Sequence, residues 1–573
     1  FNHMHIFVDP NPDAAATYEE RKRLFYLPRS TWDDFDKSLI SKGGGVFLRS
    51  AKAIELSPEM KTLFNTQKKS MTPTEMIKAL LTLDVDLLWN GGIGTYVKSS
   101  KESDSDVGDR ANDAVRVDGK DLRARIVGEG GNLGFTQLGR IEYALTGGRI
   151  NTDAIDNVGG VNCSDNEVNI KILLNGLVAN GELTREQRDK LLYDMTDEVA
   201  EIVLRDCFRQ SQSISVTAIR GAEQTKEFQR FIHHLEREGQ LNRALEFLPD
   251  DDVLAERQAN GKGLTRPELA VLTAYGKMVL KDQLLDDAIM ADPFHARSLI
   301  NAFPKPLQEH YAAAMENHPL RAQIIATRLA NNIVNDMGPN FVFRKAETTG
   351  VSEAEVASAY VIARECFNLR GLMEQIEAGN NQFPAEVQNN MLFQLRRVVR
   401  RATRWFLRHR TPGLVTIQDH LDFYRESFDE LRKNVLNYVV EEERQEIQAE
   451  IDELVSQGVP ADLAHNIGIL STLFSALDIA DVSHETGLKV GTVAEAYFNL
   501  GSRAALHWFL EQINQQPVDN HWQALARAAF REELDWQQRS LTAIMLKSAS
   551  AEQNATEIVE QWFTTNKVYI DRW

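Results

Sequence analysis

Cysteine is scarce in this sequence, which has only three in 573 residues: Cys163, Cys207 and Cys366. They are too few and too scattered for a disulfide framework or a zinc site, which favours a reducing compartment, with the cytoplasm as the default. No base and orienting group accompany Cys163, so we expect a small buried thiol there rather than a nucleophile. His233 and His234 with Glu238 lack a third ligand, and we therefore predict no metal site.

Long apolar runs and an excess of positive charge are also absent. No segment approaches the ~18 uncharged apolar residues of a membrane span, so we expect no membrane partner. The formal net charge of −19 argues against nucleic acid or an anionic membrane as the main partner. Phe1 is not an initiator, and residues 2–9 already alternate like a strand, so no targeting peptide is visible. We interpret the sequence as the C-terminal part of a larger protein.

Residues 1–165 have an α/β pattern. Short apolar strands are expected at Ile6–Val8, Val85–Trp89 and Ala124–Val127, each followed by a loop, with helical segments between them. One helix should begin at Thr72, where Pro73 and Glu75 complete a capping pattern. Strands alternating with helices favour a mostly parallel sheet, which binds ligands at the carboxyl ends of its strands. Residues 99–109 are predicted to be an exposed loop.

From Val168 onward strand signals nearly vanish, and residues 166–573 predict an all-α region. Helix starts are indicated by capping patterns at Thr265 and Ser352. Breaks between helices are predicted at Gly261–Gly263, Gly379–Pro384, Pro412–Gly413 and Gly458–Pro460. The predicted fold is therefore α/β followed by all-α, divided into residues 1–165 and 166–573.

Three glycine-rich blocks carry the clearest functional signal. The first two follow predicted strands and are Asn90-Gly91-Gly92-Ile-Gly94-Thr95 and Gly128-Glu129-Gly130-Gly131-Asn132. Glycine at a strand end lets a flat ligand approach the main chain, although such loops also serve simply to turn the chain. The third block runs from Asn157 to Glu167. We expect a tight bend at Gly159-Gly160 that delivers the Ser164 hydroxyl to a ligand carboxylate, or a structural elbow with a capping serine.

Asp9 ends the first predicted strand and precedes Pro10. In a dinucleotide-binding fold, an acid at the end of the second strand accepts hydrogen bonds from the adenosine ribose and favours NAD over NADP. The alternative is a turn-initiating Asp before proline, which is common.

Two features of the helical region could bind a ligand, but we favour a purely structural role for each. A run of arginines between Arg396 and Arg408 could bind phosphate or a membrane, but in an acidic chain ion pairs to neighbouring helices or subunits are expected. Residues 479–493 have the spacing of a helix-turn-helix. The second helix has hardly any basic residue to contact phosphates, so we predict a helical corner.

The three blocks together resemble the C-terminal half of the dinucleotide domain of glutamate dehydrogenases. The sequence of Trp89–Thr95, followed by a long helical region, resembles that of the large bacterial NAD-specific members of the family. The resemblance implies a partial Rossmann-like parallel sheet followed by a large helical region. It also implies NAD-dependent oxidative deamination of L-glutamate to 2-oxoglutarate and ammonia, in a homo-oligomer for which a tetramer is one candidate.

The resemblance also assigns residues. Ser164 and Asn157 would bind substrate, and the cofactor would be bound by Asp9, Asn90, Gly91, Gly92, Gly94, Thr95, Glu129, Gly130 and Asn132. The family's catalytic lysine and aspartate and its pyrophosphate loop are expected upstream, so we predict that this chain alone lacks activity. Lys42, in a Lys-Gly segment, follows the Asp9 strand whereas the family's lysine precedes it, so Lys42 is interpreted as a loop residue. The competing hypothesis is a non-catalytic assembly or regulatory module with a remnant nucleotide-binding domain.

Overall fold

A computed structural model of the chain describes residues 1–409, 411–518, 520–548 and 554–570. The chain divides into two compact units, Phe1–Tyr275 and Gly276–Trp573. The change from mixed α/β structure to helices alone falls inside the first unit, after the last strand. The predicted division at residue 165 stays a prediction.

The first unit contains all the strands that the described residues form. They are β1 (His5–Val8), β2 (Gly45–Leu48), β3 (Ile54–Glu55), β4 (Ser70–Met71), β5 (Leu87–Asn90), β6 (Val97–Lys98), β7 (Val117–Asp118) and β8 (Ile126–Glu129). Its helices are α1 (Ala14–Tyr26), α2 (Pro58–Leu63), α3 (Pro73–Leu81), α4 (Asp104–Val107), α5 (Gln137–Leu145), α6 (Asp153–Asp156), α7 (Gly159–Ala179), α8 (Arg185–Asp194), α9 (Thr196–Ala218), α10 (Thr225–Arg237) and α11 (Asp251–Ala259). The next helix, α12 (Arg266–Gln283), includes the division between the units.

The strands form two-stranded pairs, and the prediction of a mostly parallel sheet is only partly right. β5 pairs with β8 and β6 with β7 in parallel, but β1–β2 and β3–β4 are antiparallel. Strand patterns in a sequence identify extended segments and carry little information about the direction of the partner. β5 and β8 also extend one to two residues further toward their carboxyl ends than predicted, so that Asn90 and Glu129 are paired.

The local signals for helix starts are confirmed. At Thr72 and at Ser352 the side-chain oxygen caps the helix, and the glutamate three residues later bonds back to the cap. Glu268 accepts hydrogen bonds from the backbone and side chain of Thr265 in the same way. The predicted break at Gly261–Gly263 separates α11 from α12, and those at Gly379–Pro384 and Gly458–Pro460 each lie between two helices of the second unit.

Two predictions for the first unit need correction. Residues 99–109 are mostly exposed, as predicted, but they are not all loop, because Asp104–Val107 form helix α4 and the segment wraps the buried Arg116 side chain. That guanidinium bonds to Asp104 and to the carbonyl oxygen of Asp109, and a buried charge needs such acceptors. Gly159 and Gly160 do not form a tight bend, because they are the first two residues of helix α7 and neither has a positive φ.

Cys163 is exposed on α7, so the expectation of a buried thiol there is also wrong. Several polar neighbours, including Asp165 and Glu167, occupy the same exposed first half of α7, and the buried apolar stripe of the helix begins only at Ile170. The sequence pattern around Cys163 did not reveal where that stripe begins.

The second unit is helical throughout its described residues. Its helices are α13 (Asp287–Ala291), α14 (Phe294–Ile300), α15 (Lys305–Glu316), α16 (Arg321–Met337), α17 (Phe341–Thr349), α18 (Glu353–Cys366), α19 (Leu369–Ala378), α20 (Ala385–Arg408), α21 (Ile417–Tyr438), α22 (Glu441–Ser456), α23 (Ala461–Gly468), α24 (Leu470–Leu473), α25 (Ala476–Thr486), α26 (Val490–Arg503), α27 (Leu506–Gln515), α28 (His521–Ser548), α29 (Ala555–Thr565) and α30 (Lys567–Ile570). Among the described residues, no single helix is long and apolar enough to cross a membrane, although α23 and the segment Leu470–Thr486, bent by 49°, meet that length and composition together.

Helix packing in the second unit confirms both structural interpretations. The corner between α25 and α26 turns at Gly487, whose φ is 69°, and Val493 and Ala494 of the second helix are fully buried. A helix packed in this way has no free face at those positions for DNA. On α20, Arg401 and Arg404 make ion pairs with Asp535 and Glu532 of α28, as predicted for the arginine run.

Candidate functional site

The first two glycine-rich blocks meet at the carboxyl ends of the parallel strands β5 and β8. Asn90 is the register partner of Glu129, and the loops that follow them touch. The backbone N–H of Gly131 donates to the Asn90 carbonyl oxygen at 3.0 Å. A Cβ atom at Gly131 would lie 2.5 Å from the carbonyl oxygen of Gly92, so only glycine permits this approach. The two blocks therefore share one edge of this strand pair.

Trp89 covers part of this edge. A Cβ atom at either Gly128 or Gly130 would lie 2.6 Å from the Trp89 indole, so both glycines make room for that ring. The Trp89 side chain is nevertheless 60% exposed, as is much of the nearby Ile93 and Leu133. These three side chains give the strand ends an apolar surface. Gly130, predicted to approach a ligand, here approaches the indole.

Asn90 holds an unsatisfied polar group at this edge. Its Oδ1 accepts a long hydrogen bond of 3.4 Å from the N–H of Gly92. Its Nδ2 is buried and has no hydrogen-bond partner among the described residues. The amide lies so close to Gly134 that a Cβ atom there would be 1.5 Å from Nδ2. A buried donor without a partner costs about 1–3 kcal/mol, so this amide is a candidate ligand contact.

Gly94 and Thr95 connect the two loops. The Thr95 hydroxyl donates to the carbonyl oxygen of Leu133 at 2.7 Å, and its backbone N–H donates to Asp109 at 2.8 Å. Gly94 has a φ of 121°, and a Cβ atom there would lie 2.5 Å from Asn112. The polar groups of Thr95 are therefore engaged inside the protein, where they fix the shape of the first loop.

Glu129 forms a buried ion pair with Arg140, a residue that the sequence analysis missed. Two guanidinium nitrogens of Arg140 donate to the two Glu129 oxygens at 2.7 and 3.0 Å, and both side chains are buried. Burial raises the pKa of Glu129, and the bond to Arg140 opposes that shift. The sequence contained a signal for this pair, since Arg140 and Tyr143 lie three residues apart on what becomes the buried face of α5. A charged residue on an apolar face needs a buried partner.

Helix α6 ties the second loop to the rest of the unit. The backbone N–H of Leu133 donates to Asp153 at 2.8 Å, and that of Glu129 donates to Asp156 at 3.0 Å. Asp153 also contacts Arg140 at 3.2 Å. Burial raises the pKa of Asp156. Hydrogen bonds from the Asn151 side chain and from the Glu129 N–H oppose this rise.

Asn157 and Asn132 are brought together, as the resemblance leads one to expect of residues around one site. Asn157 Nδ2 donates to Asn132 Oδ1 at 2.5 Å, and the side chain of Asn132 is exposed. Ser164 lies in the second turn of α7 and is also exposed. It does not cap the helix, because the N-cap position belongs to Val158, and the capping interpretation is therefore wrong.

Asp9 lies at the end of β1, in a strand pair separate from β5 and β8. One carboxylate oxygen, Oδ1, accepts hydrogen bonds from the backbone and the hydroxyl of Ser41. The other oxygen, Oδ2, is buried without a hydrogen-bond partner among the described residues. Lys42 follows in an exposed turn and pairs with Glu59 at 3.0 Å, which confirms it as a loop residue. Asp9 thus offers one unpaired acceptor.

Comparison with known proteins identifies similar chains along the whole length. Residues 1–217 match the family model for the bacterial NAD-glutamate dehydrogenase catalytic domain, and residues 261–573 match the one for the glutamate dehydrogenase C-terminal region. The chain is 50% identical over 574 residues to the NAD-specific glutamate dehydrogenase of Pseudomonas aeruginosa, covering 100% of this chain and 35% of that protein.

Two further relatives carry the same name. The chain is 47% identical to the protein from Halomonas elongata, over 100% of this chain and 35% of the relative. It is 39% identical to that from Mycobacterium tuberculosis, over 98% of this chain and 35% of the relative. The chain therefore spans about a third of the length of the curated relatives it matches. With more than half of its residues matched by the C-terminal family model, the chain belongs to the glutamate dehydrogenase family.

Proposed function

We propose that this chain is part of an enzyme that oxidises L-glutamate with NAD and water to 2-oxoglutarate, ammonium, NADH and a proton. The observation that carries the proposal is the meeting of two glycine-rich loops at the carboxyl ends of β5 and β8, beside the unpartnered amide of Asn90. Parallel strands bind nucleotide cofactors at this edge. The names of the relatives support the choice of substrate and cofactor.

The residues present fit NAD in two places. Asn90 Nδ2 is a buried donor and Asp9 Oδ2 a buried acceptor, and each lacks a hydrogen-bond partner among the described residues. In the proposal Asn90 donates to a polar oxygen of the nicotinamide half, and the bare backbone of Gly91 and Gly92 lies against that half. Asp9 accepts from a ribose hydroxyl. NAD when bound supplies the hydride acceptor, and the substrate's α-carbon is the donor.

The other predicted cofactor residues act indirectly in this proposal. Glu129 is turned inward to Arg140, so its carboxylate orients the strand end and its backbone faces the ligand. Thr95 and Gly94 hold the first loop against the second. Gly130 admits the Trp89 indole, whose exposed part gives the strand ends an apolar surface. Proximity of the reacting carbon to the hydride acceptor depends on the rigidity of this support.

Substrate contacts are proposed for the exposed polar groups nearby. Asn132 and Asn157 are joined by a hydrogen bond and present amide groups from the second loop and from the residue that directly follows α6. Ser164 on α7 would donate its hydroxyl to the side-chain carboxylate of glutamate. The proton transfers and the activation of water belong to the lysine and aspartate that the family resemblance assigns outside this sequence.

Four broader statements belong to the same proposal. They are a partial Rossmann-like arrangement around β5 and β8, a homo-oligomer with a tetramer as one candidate, a cytoplasmic location, and the absence of nucleic-acid, membrane and metal partners. The parallel β5–β8 pair supports the first, and the net charge of −19 supports the absence of nucleic-acid and anionic-membrane partners.

Cofactor choice tests the role of Asp9. In the full-length enzyme, Asp9→Ser should weaken the binding of NAD by about tenfold to a hundredfold, since one hydrogen bond to a charged group contributes roughly 1.5–3 kcal/mol. The preference for NAD over NADP should fall in steady-state kinetics. Ser41→Ala is the matched control, because it removes the bond from the Ser41 hydroxyl to Asp9 and leaves the carboxylate and the backbone bond in place. An unchanged NAD to NADP ratio in Asp9→Ser would leave Asp9 as a turn residue.

Substrate preference tests Ser164. Ser164→Ala should lower kcat/KM for glutamate by about tenfold to a hundredfold, leaving NAD affinity nearly unchanged. Because Ser164 is exposed within a helix, the melting temperature should not drop. Cys163→Ala, one residue earlier on the same exposed segment, is the control. Intact glutamate preference in Ser164→Ala would exclude the substrate contact.

A dehydrogenase assay distinguishes the enzyme hypothesis from the hypothesis of a non-catalytic assembly module. The full-length protein should form NADH from glutamate, whereas residues 1–573 of this sequence alone should not. A folded full-length protein without activity toward glutamate and related amino acids, with either NAD or NADP, would favour the non-catalytic alternative.

A further inference from the structure

Helix α12 begins with an arginine whose side chain reaches two other segments of the first unit. Arg266 is the first residue of α12. Its Nε and Nη2 donate to Asn151 Oδ1 at 3.1 and 2.9 Å, and its Nη1 donates to the hydroxyl of Ser215 on α9 at 2.9 Å. The helix dipole disfavours a cation at a helix N-terminus, so these contacts, rather than the helix, account for the arginine at this position.

The start of α12 is fixed by contacts that do not involve the Arg266 side chain. Glu268, in the first turn, is fully buried and accepts hydrogen bonds from the backbone N–H and the hydroxyl of Thr265 at 2.6 and 2.8 Å. Nη1 of Arg257, on α11, lies 2.9 and 2.8 Å from the two Glu268 oxygens. A capping pattern and a buried ion pair therefore hold this helix end, and the bonds of the Arg266 guanidinium are not needed to begin the helix.

Asn151 joins Arg266 to Asp156, the last residue of α6. A guanidinium can only donate, so the Asn151 atom that it contacts must be the carbonyl oxygen, and the amide nitrogen points the other way. Asn151 Nδ2 donates to Asp156 Oδ1 at 2.9 Å and makes a longer contact of 3.4 Å with the Ser211 hydroxyl. A cation and a carboxylate are thus joined through one amide, and both of them determine its orientation.

Asp156 continues the hydrogen bonding along one edge of β8 where the neighbouring backbone leaves it. On the edge away from β5, the N–H of Val127 donates to the carbonyl oxygen of Arg149 at 2.9 Å. The next N–H on that edge belongs to Glu129, two residues further on, and it donates to Asp156 Oδ2 at 3.0 Å. A side-chain carboxylate thus takes the place of a strand partner at the last residue of β8. The position of Asp156 therefore determines where the loop at residues 130–132 begins.

The residue after Asp156 lies at the same loop, because Asn157 directly follows α6 and donates to Asn132 at 2.5 Å. We propose that Arg266 is a positioning residue of the dehydrogenase site, acting through Asn151 and Asp156 on the end of β8 and on the loop after it. The inference rests on the proposed function, in which this strand end supports the nicotinamide half of NAD and the two asparagines contact the substrate. Arg266 acts on both ligands only through these residues.

Steady-state kinetics of the full-length enzyme test this role. Arg266→Met and Asn151→Leu should each lower kcat for glutamate oxidation by about tenfold or more, since small displacements of reacting groups slow a reaction steeply. The loss should lie mainly in kcat rather than in KM, because the groups that bind glutamate and NAD remain in the protein. Ser215→Ala is the matched control. It removes the third bond of the same guanidinium and leaves the contact with Asn151, so its kcat should equal that of the wild type.

Two further variants separate positioning from folding. Arg266→Lys keeps the charge and can still donate to Asn151, so it should retain more of kcat than Arg266→Met. The double variant Arg266→Met/Asn151→Leu should be no slower than the slower single variant, because both changes break one chain of hydrogen bonds. A purely structural role predicts lower melting temperatures with an unchanged kcat per folded enzyme, and that result would overturn the proposal.

The same kinetics distinguish failure of this inference from failure of the proposed function. A folded wild-type enzyme that forms no NADH from glutamate would overturn the proposed function and, with it, the role of Arg266. An active wild type with Arg266→Met as fast as Ser215→Ala would overturn only the role of Arg266. If Arg266→Met does not fold, Asn151→Leu decides, since it breaks the same chain of bonds and leaves the guanidinium bonded to Ser215. An unchanged kcat in Asn151→Leu would then overturn the proposal.

Discussion

The buried pair of Glu129 and Arg140 allows a quantitative test of how the loops at β5 and β8 are held. Arg140→Met keeps the length of the side chain and removes its charge. Glu129, which is fully buried, then lacks the two bonds of 2.7 and 3.0 Å that compensate its burial. Removing one partner of a buried ion pair costs about 3–5 kcal/mol, which corresponds to roughly 10 °C in the melting temperature of a unit of this size.

The loss should depend on pH in a definite direction. Without Arg140, the pKa of Glu129 rises further above its value in the unfolded chain, because burial is no longer opposed. The folded variant then holds a proton that the unfolded chain releases, so its free energy of unfolding falls as pH rises above about 4.5. The difference from the wild type should be larger at pH 8 than at pH 5. Glu129→Met/Arg140→Met should recover much of the loss, since it removes both charges.

Hydrogen exchange measured by mass spectrometry provides the local assay. Exchange in a peptide that covers residues 126–135 reports on β8 and the loop after it, and urea midpoints report on the whole unit. Arg125→Met is the matched control, because Arg125 and its partner Asp86 are both mostly exposed and such a pair contributes at most about 1 kcal/mol. If Arg140→Met were no more destabilising than Arg125→Met at either pH, the Glu129–Arg140 pair would not be what holds the strand end.

Two further predictions concern the site edge and the helical unit. Gly134→Ala should displace the Asn90 amide, because its Cβ would lie 1.5 Å from Nδ2, and should weaken NAD binding to the full-length enzyme by tenfold or more; unchanged affinity would contradict the contact. Burial raises the pKa of Asp478 to about 7, so the free energy of unfolding should fall as pH rises from about 4 to 7, and Asp478→Asn should flatten this dependence in urea titrations at pH 5 and 7.5. An equally steep dependence in the variant would assign it to other groups.

The sequence by itself determined what depends on neighbouring residues. The capping residues Thr72 and Ser352 bond to groups three residues away, and the predicted breaks coincide with the ends of helices, because caps and glycine or proline act within one turn. The glycine-rich blocks after β5 and β8 were recognisable as strand ends for the same reason. The sequences of these blocks also resemble those of glutamate dehydrogenases, and the matches along the chain confirm that resemblance.

Only the tertiary structure decided what depends on partners far along the chain. The antiparallel pairing of β1 with β2, the folding of residues 99–109 around Arg116 and the bond between Asn132 and Asn157 join segments that no local pattern links. Arg140 shows the same limit. It is an ordinary charged residue in a helix until packing buries it, and the cost of a buried charge then makes its partner, Glu129, decisive for the site.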